Sequence, residues 1–388
     1  MPRQLLFLPG PVMLAQPVVE ALACPLIDHR GPEFAALLAR ITRALQPIFG
    51  TQGDVVLLGS SGTGALETAV ANVFTPGDRV LSCAVGVFGK RFAAIAERYG
   101  CEVEPLDTPV GAALDPRALE ARLEADAKRE IAGVLLTHNE TSTGVANDMA
   151  ALAPILQAHG ALTLVDSISG LGASELRMDE WGYDVVVAAS QKAFAAPPGI
   201  AMVAASERAW KRMTHTESPR FYFDLRRARE AAQHGQTPWT PPISILYALD
   251  VALEHYHAGG MEAAWARFAR YAAAVRAALE RLGFTLVSAS DAHSPTVVAA
   301  YPPEGVDVAT LLKRLREKHR VVFSGGQGEL AGKILRFGTM GDVRDVDLLG
   351  AIGAIELTLL DLGYDVTPGA ATGAAIEALA GRVTSGVA

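Results

Sequence analysis

The chain has 388 residues, half of them hydrophobic and a fifth charged, with a net charge of −8 and a pI near 5.6. This composition excludes a disordered or low-complexity chain and can fill two domains, or one large domain with an appendage. The acidic balance speaks against nucleic acid or an anionic membrane as the main partner.

The N-terminus, MPRQLLFLPGP, has a short apolar run broken by Pro9 and Pro11, so it does not read as a signal peptide. Residues 1–25 read as an extended arm leading into a helix around Pro17–Leu22, and a second helix is expected from Pro32 to Phe49. Strands and helices then alternate. Strands are expected at 54–58, 79–83, 102–106, 131–137, 162–166 and 184–188, with helices at 63–74, 89–99, 116–127 and 149–159. Continuous apolar strands between amphipathic helices mean a parallel sheet covered on both faces. The fold class is therefore α/β, a large doubly wound, mainly parallel sheet over about residues 26–260. The pattern changes near residue 260. A long Ala/Arg-rich helix at 261–282 precedes strands near 284–288, 296–301, 321–323 and 334–337 and helices at 308–318 and 346–362, a smaller α+β C-terminal domain at 261–388. The tail from Thr367 has helical composition but weak pattern. No apolar run reaches about 18 residues, so no membrane span is expected. Cys24, Cys83 and Cys101 are too scattered for a disulfide framework or a C-x-x-C metal site, and the C-terminal SGVA is no peroxisomal address. A cytoplasmic chain without a bound metal is the expectation.

Four features carry chemistry. Gly59–Gly64 reads GSSGTG between a strand and a helix. Such a turn lets backbone N–H groups and a helix N-terminus approach a phosphate, with Ser61 and Thr63 adding hydroxyl donors. The glycine order is not G-x-G-x-x-G and no Gly-Lys-Ser/Thr follows, so a dinucleotide fingerprint and a P-loop both fit poorly. Asp166 ends an apolar strand, at the rim where ligands of open parallel sheets bind. Lys192 follows the strand DVVVAA, one strand–helix–strand excursion beyond Asp166. It alone of the seven lysines combines an apolar approach with a Pro/Gly-rich exit, Pro197-Pro198-Gly199. Partial desolvation lowers a lysine pKa and favours imine chemistry. Arg336 is a lone charge in an apolar strand and suits a carboxylate. Each feature alone admits a bland alternative: an ordinary turn, a helix cap, a surface lysine, a structural ion pair. Together they fit pyridoxal phosphate (PLP), which needs a phosphate site, a carboxylate beside its pyridine nitrogen and an imine-forming lysine.

The order SGTGALE (61–67), HNETSTG (138–144), LVDSISGLG (164–172), SQKAFAAPPG (190–199) and LRFGTMG (335–341), with LPGPV and DHRGPEF near the N-terminus, resembles class V aminotransferases. Within that class it is most similar to the alanine/serine–glyoxylate (serine–pyruvate) group. The resemblance covers about residues 5–365. It implies PLP-dependent transferase fold type I and a homodimer with shared active sites. It further implies that Ser61, Gly62 and Thr63 hold the phosphate, that Phe88 stacks on the ring where many relatives have tryptophan, and that Thr141 contacts the ring hydroxyl. Asp166 would pair with the ring nitrogen, Gln191 would lie beside the cofactor, Lys192 would form the imine and Arg336 would bind the α-carboxylate. By sequence alone Phe88 reads as core. In the animal enzymes a tyrosine and a threonine from the neighbouring subunit reach the phosphate. Thr240 matches that threonine, but Thr237 stands where the tyrosine would be. His29 and Arg30 fit a substrate-proximal position and a structural loop contact equally.

The implied reaction transfers the amino group of alanine or serine to glyoxylate or pyruvate, with Lys192 as proton shuttle. A 2-aminoethylphosphonate aminotransferase shares nearly all these motifs. A cysteine desulfurase or lyase would need a catalytic cysteine in the C-terminal half, and none follows Cys101. A PLP-fold protein without turnover would not require lysine, aspartate and arginine together, and the glycine order disfavours a nicotinamide dehydrogenase.

Overall fold

The computed structural model describes residues 4–381; MPR at the start and the SGVA terminus lie outside the described residues. Its centre is a seven-stranded sheet with the order Val55–Gly59, Ile200–Ala205, Val185–Ala189, Leu162–Asp166, Ile131–Thr137, Arg79–Cys83, Glu102–Pro105. All neighbouring pairs run parallel except those made by Ile200–Ala205, which is antiparallel to both its neighbours. The apolar strands feed two cores because successive side chains point to opposite faces. Leu57, Leu81, Val134, Val165, Val186 and Met202 join one buried cluster with the helix Pro32–Phe49. Val56, Val80, Leu135, Leu164, Val187 and Val203 join another with the helix Gly62–Val73.

The strand Ile200–Ala205 is not among the elements expected from the sequence. Only ten residues separate it from Val185–Ala189, too few for the crossover helix that a parallel return needs, so the chain turns back on itself. Three helices beyond it, Glu207–Met213, Leu225–Gln233 and Ile243–Ala258, were likewise not expected. The expected helix at 308–318 is an α-helix over Val308–Arg314 that widens into a π-turn at Leu315–His319.

The C-terminal part forms a four-stranded antiparallel sheet in the order Thr285–Leu286, Val297–Tyr301, Leu335–Gly338, Ser324–Gly325. Helices Met261–Arg281, Asp345–Asp361 and Ala370–Leu379 share its core, the last giving the tail a packed place. The N-terminal arm docks onto this part. Leu5 and Leu6 pair in parallel with Val321 and Val322, and Phe7 is fully buried between Phe323 and Phe337, with ring centroids 5.9 and 4.9 Å away. No helix among the described residues is long and apolar enough to cross a membrane.

Phe7→Ala removes a buried ring and leaves a cavity, and is expected to cost about 3 kcal/mol or more of stability. Chemical denaturation followed by circular dichroism checks this; a change under 1 kcal/mol would mean that the arm is not anchored by Phe7.

Candidate active site

The parallel strands deliver their last residues to one rim of the large sheet, the edge where open α/β sheets bind ligands. Asp166, the final residue of its strand, is 3% exposed, and its Oδ1 accepts a hydrogen bond from the Ile168 backbone N–H at 3.0 Å. Burial pushes its carboxyl up to about 7; the Glu140 charge adds to this, while Lys192 and Arg91 oppose it. A buried acid with no contacting cation among the described residues is ready for a cationic ligand atom.

Lys192 follows Val185–Ala189 by three residues, on a loop zipped at its base. Ser190 N–H donates to the Ile200 carbonyl at 3.0 Å and Ser190 Oγ to the Pro197 carbonyl at 2.5 Å. The antiparallel return therefore fixes the loop. Lys192 Nζ donates to the Pro9 carbonyl at 2.5 Å. Burial lowers its ammonium to about 8; Asp166 opposes the shift, and Arg336 and Arg91 reinforce it. Gly10 has φ +111°, a conformation that favours glycine, and a Cβ there would stand 2.7 Å from Lys192 Cδ and 2.9 Å from Nζ and push that side chain aside.

At the start of the helix Gly62–Val73, Ser61 Oγ caps by accepting from Gly64 N–H at 3.3 Å. Gly62 is buried against Ile168, while Ser61 and Thr63 are exposed. The result is a helix N-terminus presenting two hydroxyls, the arrangement that suits one phosphate. Phe88 lies half-buried near the start of the helix Val87–Arg98, so it is not the core residue that sequence alone suggests. The Arg91 guanidinium sits 4.7 Å above its ring and donates to Thr63 Oγ1 at 3.2 Å.

The segment 138–146 links these groups to Arg336. Asn139–Glu140 pairs with Val145–Ala146, and Thr141 begins the turn between them. Thr141 is buried, and its carbonyl accepts from Arg336 Nη1 at 3.0 Å. Arg336 Nε donates to the Gly325 carbonyl at 2.8 Å. Arg336 is 5% exposed, and burial lowers its pKa against the pull of Glu140. No ion pair joins it to a carboxylate among the described residues, which leaves part of a buried guanidinium fork for an incoming anion. Glu140 is itself fully buried: Oε2 accepts from the Phe88 and Gly89 N–H groups at 3.0 and 3.2 Å, and Oε1 from Ser142. It caps the helix that carries Phe88. His138 Nδ1 meets Ser167 Oγ at 2.8 Å, and burial lowers its pKa to about 4, so it is neutral.

Three buried polar atoms near this rim have no partner: Gln191 Oε1, Thr137 Oγ1 and Asn139 Oδ1. Unpaired buried polar atoms are costly and mark a place that a ligand completes. The donor set fits PLP, with a phosphate turn, an amine and a carboxylic acid on one rim. Thr240 stands apart. It is exposed, forms no hydrogen bond among the described residues, and lies with Tyr222 and Trp239 beside Gly59. The Thr237 hydroxyl is occupied by the Trp239 carbonyl at 2.7 Å. Arg30 is a loop contact, donating to Gln236 Oε1 and the Thr237 carbonyl at 2.9 and 2.7 Å. The sequence reading missed Arg91, Glu140 and Gly10. Arg91 follows Phe88 by one helical turn and Glu140 lies inside the quoted HNETSTG, so both were within reach of spacing; Gly10 was not.

A half-buried lysine, a buried acid and a hydroxyl-bearing helix start gathered on one sheet rim fit a PLP-dependent enzyme, and the family makes it a transaminase. Residues 22–335 match the aminotransferase class-V family, and the chain belongs to it. It is 37% identical to the L-aspartate–glyoxylate aminotransferase of Paracoccus denitrificans, over 96% of this chain and 95% of that protein. It is 38% identical to a protein of Synechococcus sp. named "Soluble hydrogenase, small subunit", over 97% and 98% of the two chains. Among solved structures, pyridoxamine–pyruvate aminotransferase from Mesorhizobium loti superposes with a TM-score of 0.93 at 31% identity, covering 98% of this chain and 97% of that one. The names of the relatives divide over chains of equal length, so the activity rests on the family and the site.

Gly10→Ala forces Lys192 aside and is expected to lower kcat by about 10- to 100-fold, a loss typical of misplacing a reacting group by about 1 Å. Steady-state kinetics on the folded variant checks it; an unchanged kcat would mean that the arm does not set the lysine's position.

Proposed function

We propose that this transaminase moves the amino group of a small monocarboxylic amino acid, alanine or serine, to glyoxylate or pyruvate. The observation that carries the reading is the shared rim of Lys192 and Asp166, with Arg336 as a buried cation lacking a carboxylate partner. PLP, when bound, supplies an aldehyde that exchanges amines and a ring that withdraws electrons. Ser61, Gly62 and Thr63 hold the phosphate, and Phe88 packs against the ring. Asp166 holds the proton on the ring nitrogen, so that its carboxyl, raised by burial, ionises against a positive partner. Thr141 and Gln191 complete the polar rim. Lys192 Nζ would anchor the cofactor and, when free, would take the proton from the substrate α-carbon. Arg336 orients that carbon by binding the α-carboxylate with parallel N–H donors. A single such arginine favours one carboxylate over two. A relative is named L-aspartate–glyoxylate aminotransferase, and that makes aspartate the competing donor.

The same proposal places the enzyme in the cytoplasm as a homodimer, in which Thr240 reaches the phosphate of a second copy. Support for the dimer comes from the exposed Thr240 and from Phe221 and Tyr222, which are 65% and 45% exposed and stack on Trp239. Within this reading the chain divides into an arm at 1–25, a large domain at 26–260 and a small one at 261–388, the last centred on an apolar cluster of its own that the arm enters through Phe7 and Met13.

A matrix of amino acids against oxoacids, read by cofactor absorbance, tests the substrate. Alanine or serine with glyoxylate or pyruvate is expected to be fastest; faster turnover of aspartate, 2-aminoethylphosphonate or pyridoxamine overturns the assignment. Arg336→Ala is expected to raise the amino-acid KM by about 10- to 100-fold, the value of a charge-assisted contact. An unchanged KM moves the carboxylate site elsewhere. Cofactor uptake by stripped enzyme requires Lys192 without its extra proton. Because burial lowers this ammonium to about 8, the uptake rate is expected to climb with pH and level off just above pH 8. A climb continuing to pH 10 would assign Lys192 an ordinary pKa.

A further inference from the structure

We infer that Arg91 is the counter-cation of the cofactor phosphate, completing a cradle whose other members carry no charge. The inference rests on reading Ser61–Thr63 as the phosphate turn. That turn offers hydroxyls, backbone N–H groups and a helix N-terminus, which together supply only partial positive charge. A phosphate monoester carries nearly two negative charges at neutral pH. Arg91 Nη1 already donates to Thr63 Oγ1 at 3.2 Å. A phosphate oxygen accepting from that hydroxyl at an ordinary hydrogen-bond length would lie within about 6 Å of the same nitrogen, and one rotation of a half-exposed side chain closes the gap.

The neighbouring cations are otherwise engaged. Arg336 is bound to the Gly325 and Thr141 carbonyls, Lys192 to the Pro9 carbonyl, and Lys90 points outward to Glu329 at 2.7 Å. Arg91 is joined to no carboxylate among the described residues; its contacts are Thr63 and the Phe88 ring. The position follows from the helix. Arg91 is three residues past Phe88, so both lie on one face, and an arginine side chain leaning toward the N-terminus reaches the Thr63 turn. One helical turn thereby presents an aromatic face for the ring and a guanidinium for the phosphate. The planar fork matches two phosphate oxygens, which an ammonium cannot do.

The test separates phosphate from ring. Stripped wild-type protein, R91Q and R91K are titrated with PLP and with pyridoxal, which lacks the phosphate, by visible absorbance. R91Q is expected to raise the Kd for PLP about 10- to 100-fold and to leave that for pyridoxal unchanged. R91K, which keeps the charge but loses the fork, is expected to fall between and serves as the folded comparison. Inorganic phosphate is expected to compete with PLP in the wild type and to lose most of that effect in R91Q. Equal weakening of both ligands would mean that Arg91 only supports Phe88, and tighter PLP binding in R91Q would make it an obstacle in the ring slot; either overturns the inference, as does no change. Thr63→Val tests the underlying reading independently. If PLP keeps its full advantage over pyridoxal in that variant, the turn assignment fails; if the advantage falls there but survives R91Q, only the role of Arg91 fails.

Discussion

The hydrogen bond from Lys192 Nζ to the Pro9 carbonyl is the contact on which the site depends. A lysine at the end of a buried strand must either meet a partner or lose its proton, and here burial and a backbone acceptor act together. The acceptor belongs to the N-terminal arm, and the arm is held by the C-terminal sheet through Leu5, Leu6 and Phe7. The position of one amine thus reports on how the large sheet, the arm and the small sheet sit together. Gly10 suits that contact because its backbone is in a glycine-favouring conformation and a side chain there would displace the lysine.

Charge is distributed around this amine in a balanced way. Asp166 and Glu140 favour its ammonium form, whereas Arg336 and Arg91 disfavour it, and burial decides the outcome. The acids are themselves treated differently. Glu140 is satisfied by four donors and serves as a helix cap, while Asp166 takes one backbone N–H and is left raised. Two buried carboxylates thus have different hydrogen-bond surroundings, one filled by four donors and one left open to a further partner.

Much of this was legible in the sequence. Runs such as LTLVD and VVVAA are mostly apolar because both faces of their sheet are covered, and their C-terminal ends carried Asp166 and the lysine loop. What escaped were features set by long-range contact. IAMVAA is as apolar as the other strands, but its direction depends on the short return that precedes it. Gly10 is informative only once Lys192 is known to face it. Phe88 looks like core on hydrophobicity, and its half-open ring appears only when the helix is docked.

The pairing of Leu5–Leu6 with Val321–Val322 has a consequence for biosynthesis. The two partners are more than three hundred residues apart, so the arm has nothing to pair with while most of the chain is still being made. The large sheet can close early, because its strands are contiguous up to residue 205. The segment that carries the lysine's carbonyl partner gains this second anchor only once Val321 and Val322 have emerged. Full anchoring of the arm beside the lysine is thereby tied to synthesis of nearly the whole chain, and a truncated chain with an intact large sheet would lack that anchor.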